Sequence, residues 1–165
     1  MTIKRASYAM ITLFFGLLLP FLSSCSDSDH KDKVINVAED DPDVTAAIAK
    51  ARGLLPQFWQ VFDYHEHGET DFCLKVKITD KGKAEHFWAV NVERNDGKIF
   101  GTINNDPEIV HNVKIGDRIL IPEDDISDWL YMQNGKMVGN YTLRVLFKQM
   151  SVSEAEKYKA ILADP

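Results

Sequence analysis

The sequence predicts an α+β fold, and three observations carry that prediction. Apolar residues recur every three or four positions across 44–58, which is one face of a helix. Apolar and polar residues then alternate through 72–92, and tight turns follow, as in antiparallel strands. Near the C-terminus two Ser-x-x-Glu patterns indicate a further helix start. We expect an N-terminal helix, a curled antiparallel sheet of four or five strands, and C-terminal helices.

The N-terminal helix has a defined start and a weak middle. Asp41 is suited to be its N-cap, Pro42 fits the first helical position, and Asp43 complements the helix dipole. Gly53 and Pro56 interrupt the apolar stripe. The pattern therefore predicts a kink or a restart near Pro56.

The strands are predicted from alternation and from turn residues. A half-buried strand over 72–78 reverses at 80–83 into a second strand that reaches Val92. Asn95-Asp96-Gly97 is a strong hairpin signal and leads into a third strand over 98–103.

The last part of the chain holds shorter elements. A strand over 118–121 ends at Pro122, and another is expected over 129–132. Residues 141–150 fit either a strand or a helix, and we favour the helix. A final helix is predicted over about 153–162.

The N-terminus has the layout of an export signal. Lys4 and Arg5 precede an almost wholly apolar run over 8–22, and Leu-Ser-Ser then leads to Cys25. This arrangement resembles a lipobox, in which the cysteine thiol is alkylated by a diacylglyceryl group and the freed amine is then acylated, for example with palmitate. Residues 1–24 are thus predicted to be a lipoprotein signal peptide, and Cys25 is predicted to be the lipidated first residue of the mature chain.

Two alternatives remain for this leader, namely ordinary secretion with cleavage nearby and a retained membrane anchor. Fifteen helical residues span about 22 Å, which is less than the ~30 Å hydrocarbon core of a bilayer, so the length argues against a retained anchor.

Residues 25–40 are mostly polar and are expected to form a flexible tether ahead of one domain over 41–165. Ser26 is not the aspartate that retains lipoproteins in the inner membrane of enteric bacteria. We therefore expect the outer membrane, with the domain facing the periplasm.

Composition limits the function further. The full chain of 165 residues has a net charge of −6, and loss of the leader removes two positive charges. No basic cluster of the kind that binds nucleic acid is present, so nucleic acid is not expected as a partner. Cys73 is then the one remaining thiol, and its apolar neighbours indicate a buried small hydrophobe.

An ordered set of short motifs resembles the YegJ-like bacterial family, domain of unknown function 2314, over roughly residues 40–160. The motifs are Ala-Arg-x-x-Leu within 47–58, Glu85-His86-x-Trp88, Gly101 followed by Asn105-x-Pro107, Gly116-Asp117, Ile126-x-Asp128-Trp129 and Gly139-x-Tyr141-Thr142-x-Arg144. The resemblance implies a small bacterial domain of unassigned biochemical function, and related domains have been proposed as immunity proteins. It implies no catalytic residues. The lipobox would make this chain a membrane-tethered version.

Four residues form the predicted ligand site. His86 and Trp88 share a strand face, and Asp128 and Trp129 enter a later strand, so we expect all four to border one concave site. In the alternative, they are scattered through the core, with Asp128 paired to Arg118 or Arg144 and Trp129 filling the interior.

No phosphate loop, nucleophile elbow or paired zinc motif is present in the sequence. The leading hypothesis is a non-enzymatic binding or protective domain with a protein partner and no cofactor. The alternative is a small hydrolase or metal-dependent enzyme that uses His86 with Asp128 or His111. A third hypothesis is a purely structural envelope protein. The pair His65 and His67 has ligand spacing but fits a solvated loop better.

Overall fold

The structure is a computed structural model that describes residues 8–11, 35–38 and 41–164. Cys25 and most of the predicted leader and tether lie outside the described residues. The two short N-terminal segments are strands, β1 (Tyr8–Ile11) and β2 (Ile35–Ala38).

The N-terminal helix is divided as predicted. Helix α1 (Pro42–Gly53) begins after Asp41, whose side chain accepts hydrogen bonds from the backbone N–H groups of Asp43 and Val44. Helix α2 (Leu55–Tyr64) restarts the chain with Pro56 in its first turn. Both the cap and the restart near Pro56 are confirmed.

Six antiparallel strands follow and form a curled open sheet. They are β3 (Thr70–Asp80), β4 (Lys83–Asn95), β5 (Lys98–Ile103), β6 (Arg118–Ile121), β7 (Ile126–Gln133) and β8 (Lys136–Gly139). The order across the sheet is β6-β5-β4-β3-β7-β8. The α+β class is confirmed, and the sheet exceeds the predicted four or five strands because β8 returns along β7 after the Asn134-Gly135 turn.

The two N-terminal strands extend this sheet at β4. Strand β1 pairs in parallel with β4, with Met10 opposite Glu85 and Ile11 opposite His86. Strand β2 pairs antiparallel with β1 on its other side.

Two helices and a 3₁₀ turn complete the chain. Helix α3 (Tyr141–Leu146) and the 3₁₀ turn Phe147–Gln149 show that the ambiguous segment is helical, as favoured. Helix α4 (Val152–Ile161) is capped by Ser151, which forms a capping box with Glu154. Of the two predicted boxes, the earlier one begins the helix.

The main core lies between one face of the sheet and helices α1 and α2. Its buried members include Ala51, Phe58, Leu74, Val76, Ala89, Ile126 and Trp129. Within the described residues, no helix combines the length and the hydropathy needed to cross a membrane.

Candidate functional site

A row of large polar and aromatic side chains crosses the sheet on the face opposite the main core. Strand pairing places Trp88 of β4 opposite Lys75 of β3, and Lys75 opposite Asp128 of β7. His86 lies two residues before Trp88 and therefore shares its face. All four side chains are buried. We call these four residues the polar row.

Asp128 holds the start of helix α3. Its carboxylate accepts hydrogen bonds from the backbone N–H groups of Trp129 (2.9 Å), Tyr141 (3.2 Å) and Thr142 (2.8 Å). The Thr142 hydroxyl donates to the same carboxylate at 2.7 Å. Asn140, which precedes α3, provides no side-chain cap, so Asp128 of strand β7 accepts from these N–H groups instead. The expected pairing of Asp128 with Arg118 or Arg144 is wrong, because the carboxylate is engaged by backbone donors.

Lys75 is joined to Asp128 through Thr142. The Lys75 ammonium donates to the Thr142 hydroxyl at 3.1 Å, and that hydroxyl donates in turn to Asp128. The ammonium also lies 5.3 Å from the centre of the Trp88 ring. Burial lowers the pKa of Lys75 to about 8, although the nearby Asp128 opposes this shift. Burial likewise raises the pKa of Asp128, against the effect of Lys75 and its hydrogen bonds.

His86 is held as a neutral imidazole. The Ser127 hydroxyl donates to the backbone carbonyl of Lys75 at 3.2 Å, so it accepts from His86 Nδ1 at 2.8 Å. The proton therefore lies on Nδ1, and Nε2 keeps its lone pair. Burial lowers the pKa of His86 to about 3, and the charges of Lys75 and Lys77 add to the effect.

Trp129 lies on the other face of the sheet. It is opposite Leu74, and its indole N–H donates to the Ala51 carbonyl of α1 at 2.8 Å. Its ring packs against Phe58 and stacks parallel to Tyr131. His86, Trp88 and Asp128 share one face of the sheet, as expected, whereas Trp129 lies on the other face, because neighbouring residues of a strand point to opposite faces. That His86, Trp88 and Asp128 border a concave ligand site stays a prediction.

Glu85 serves the loop between β5 and β6. Its carboxylate accepts from three consecutive backbone N–H groups, those of Glu108, Ile109 and Val110, at 2.9–3.2 Å. Asn105 holds the same region by accepting from the Trp88 N–H at 2.9 Å. The carboxylate next to His86 in sequence is therefore a loop anchor.

The other histidines lie outside the polar row. His65 and His67 are exposed in the turn after α2, and the N–H of His67 donates to Glu69. His111 is exposed in the β5–β6 loop, and its N–H donates to Asp80. Across the described ranges, no group of three or more His, Cys, Asp and Glu side chains is placed to hold a metal ion.

Sequence reasoning missed Lys75, Ser127 and the link through Thr142. Alternation placed Lys75 on the polar side of its strand, where lysines are ordinarily solvated. Its burial follows from helix α3, which arrives from 67 residues further along the chain. The one sequence signal for this link was Thr142, because it belongs to the motif Gly139-x-Tyr141-Thr142-x-Arg144.

The sequence profile of a bacterial family, described as "Uncharacterized protein conserved in bacteria (DUF2314)", matches residues 41–163. The chain belongs to this family. DUF2314 thus accounts for all of the domain from α1 to the end of α4.

Two curated relatives show how far the similarity extends. The chain is 34% identical over 153 residues to "Uncharacterized protein YegJ" of Escherichia coli K12, which covers 93% of this chain and 99% of that protein. It is 30% identical over 138 residues to a putative ankyrin repeat protein of Neisseria meningitidis serogroup B, covering 78% of this chain and 54% of that protein. No solved structure matches it significantly.

Proposed function

We propose that the mature protein is a lipoprotein, attached to the outer membrane through Cys25, whose DUF2314 domain is a non-enzymatic binding or protective module facing the periplasm. The domain would act on a protein partner, as an immunity protein does. No cofactor is required for this function.

The N-terminal sequence supports the tether. The DUF2314 match begins at residue 41, so the basic residues, the apolar run and Cys25 all precede the domain. The alignment with YegJ covers more residues than the domain contains, and it therefore reaches into this N-terminal region. A triacylated cysteine holds a protein at a membrane firmly, because each buried methylene contributes ~0.8 kcal/mol.

The hydrogen bonds of the two buried carboxylates, Asp128 and Glu85, support a non-enzymatic function. Asp128 accepts four hydrogen bonds, three of them from the backbone, and Glu85 accepts from three N–H groups of a loop. A general acid or base has to exchange its proton with a substrate, whereas these groups hold elements of the fold. These hydrogen bonds therefore support a binding function better than they support catalysis by His86 with Asp128 or His111.

The tether is tested by Cys25→Ser, with Cys73→Ser as a matched control. Without the Cys25 thiol the chain cannot be alkylated or processed, so we expect loss of palmitate labelling and release from the carbonate-washed membrane pellet. Cys73→Ser should label and fractionate like wild type. If wild type takes up no palmitate and Cys25→Ser stays in the pellet, the lipoprotein proposal is wrong.

The same purified material separates binding from metal-dependent catalysis. We expect elemental analysis of the mature wild-type protein to find no stoichiometric transition metal. A bound metal that is lost in His86→Gln and retained in the exposed control His65→Gln would replace our proposal with the enzyme alternative.

A further inference from the structure

The edge of β4 that faces away from β3 is divided into two parts. Strand β5 pairs with β4 only from Ala89 onward. Before that point, the Asn104 N–H donates to the Trp88 carbonyl, and Asn105 accepts from the Trp88 N–H, each at 2.9 Å. At Glu85 and His86 the neighbouring strand on this edge is β1.

The backbone groups of His86 point to this edge. The N–H and C=O of Trp88 point away from β3, because they bond to Asn104 and Asn105. Along a strand, the N–H and C=O groups of every second residue point to the same edge, and the pairing of β3 with β4 is regular from Leu74 to Asp80. The N–H and C=O of His86, and those of Ala84, therefore face β1.

Strand β1 belongs to the segment that lipoprotein processing removes. Residues 8–11 lie upstream of Cys25, so cleavage there would leave the His86 backbone groups without their partner strand. Removal of β1 would thus leave the N–H and C=O groups of this stretch of β4 without a strand partner. An open strand edge of this kind attracts another strand.

Strand β2 is placed to fill the gap. It remains in the processed chain, it is already extended, and it lies one strand beyond β1. Because β1 is parallel to β4 and antiparallel to β2, a shift of about 4.8 Å would bring β2 beside β4 in antiparallel orientation. Three residues separate Ala38 from Pro42, and three extended residues span about 10 Å.

We propose that, after removal of the leader, Ile35–Ala38 takes the place of β1 and pairs antiparallel with the Ala84–His86 edge of β4. This inference rests on the proposed lipoprotein processing. A straight replacement puts Ile35 opposite His86 and Val37 opposite Ala84. Isoleucine and valine favour strands, and a segment of the same chain has a high effective concentration at this edge.

Docking of this segment would limit how far the domain can lie from the membrane. Only ten positions separate Cys25 from Ile35, so the chain between them reaches about 35 Å at most. The edge of β4 next to His86 would then lie within about that distance of the bilayer.

The first test is a disulfide between Val37→Cys and Ala84→Cys in the mature, detergent-solubilised lipoprotein with Cys73→Ser. Facing residues of paired strands have Cβ atoms about 4.5–5.5 Å apart, close to the range that a disulfide bridges. We expect an intrachain disulfide on mild oxidation, formed at least ~10 times faster than in the control that combines Ser28→Cys with Ala84→Cys. A disulfide between two chains would instead assign the edge to a second copy and overturn the proposal.

The second test is hydrogen exchange of the His86 amide in the same mature protein. Ile35→Pro removes the N–H that would bond to β4, so it should speed exchange at His86 at least ~10-fold. Ser28→Pro, a proline outside the strand, should leave it unchanged. Fast exchange in wild type, or slow exchange unaffected by Ile35→Pro, would overturn the proposal.

Mass analysis of the N-terminus of the purified chain distinguishes failure of the lipoprotein processing from failure of the strand replacement. A retained leader refutes the lipoprotein processing and leaves β1 in place. A chain that begins at lipidated Cys25 but gives no intrachain disulfide refutes the strand replacement alone.

Discussion

Gly139 lies directly against Trp129 at the end of β8. Its φ is +86°, and a Cβ at this position would lie 2.6 Å from the Trp129 ring carbon Cε3 and would also overlap the Trp129 carbonyl. Gly135 has a similar φ of +73°, but nothing lies within 4 Å of its Cβ position. The two glycines therefore separate backbone strain from steric overlap.

We predict that Gly139→Ala destabilises the domain more than Gly135→Ala does. Both substitutions put alanine in the left-handed region, which costs about 1–2 kcal/mol. Gly139→Ala must also displace a buried tryptophan, and overpacking of this kind adds about 1–3 kcal/mol. Urea unfolding of both variants measures the difference in the free energy of unfolding. Equal values would show that the ring of Trp129 moves aside without cost.

The placement of Trp129 also shows what residue-level reasoning could predict. Asp128 and Trp129 are adjacent in one strand, so the period of two already required their side chains to diverge. That rule was enough to exclude a site containing both. The partner of Asp128 was not accessible in this way, because Tyr141 and Thr142 reach it only through the turn after β8.

Helix α3 has six residues and depends on a strand for its start. A helix this short has little stability of its own. The Asp128 carboxylate binds its first two N–H groups, and the Thr142 hydroxyl connects the carboxylate to Lys75. We expect α3, β3 and β7 to be energetically coupled through these three side chains.

A double-mutant cycle tests this coupling. Asp128→Asn leaves Lys75 buried without its counter-charge, and Lys75→Met does the same to Asp128, so each single change should cost about 3–5 kcal/mol. The double variant leaves neither of these two residues charged, and it should be more stable than the sum of the two losses predicts by at least ~1 kcal/mol. Unfolding free energies that add within about 0.5 kcal/mol would show that the two residues act independently.

Elements with local signals were predictable, and elements fixed by distant contacts were not. The cap at Asp41, the hairpin at Asp96-Gly97 and the capping box at Ser151 are each determined within a few residues, and all three are confirmed. Strand β8 carries no strong pattern in its four residues, and it exists because it pairs with β7. The burial of Lys75 likewise depends on a distant contact, because Thr142 of helix α3 packs against it.

At the scale of the whole molecule, two buried bases connect stability to pH. The pKa of His86 is lowered to about 3 in the folded protein, compared with an ordinary value of 6.5. Between these values the unfolded chain binds a proton that the folded protein does not, so stability falls as the pH drops below 6.5. The pKa of Lys75 is lowered to about 8 from 10.5, so stability rises with pH across that interval.

Acidification should destabilise the folded protein mainly through His86. Each pH unit below 6.5 should cost about 1.4 kcal/mol through His86, so acidification from pH 7 to about pH 4.5 should remove about 2–3 kcal/mol of unfolding free energy by this route. His86→Gln has no such proton to bind, and its stability should fall by that much less over the same interval. His111→Gln, at an exposed histidine, should follow wild type. Urea unfolding at the two pH values measures all three proteins. If His86→Gln loses as much stability as wild type, the imidazole titrates in the folded state, and the neutral His86 bonded to Ser127 is wrong.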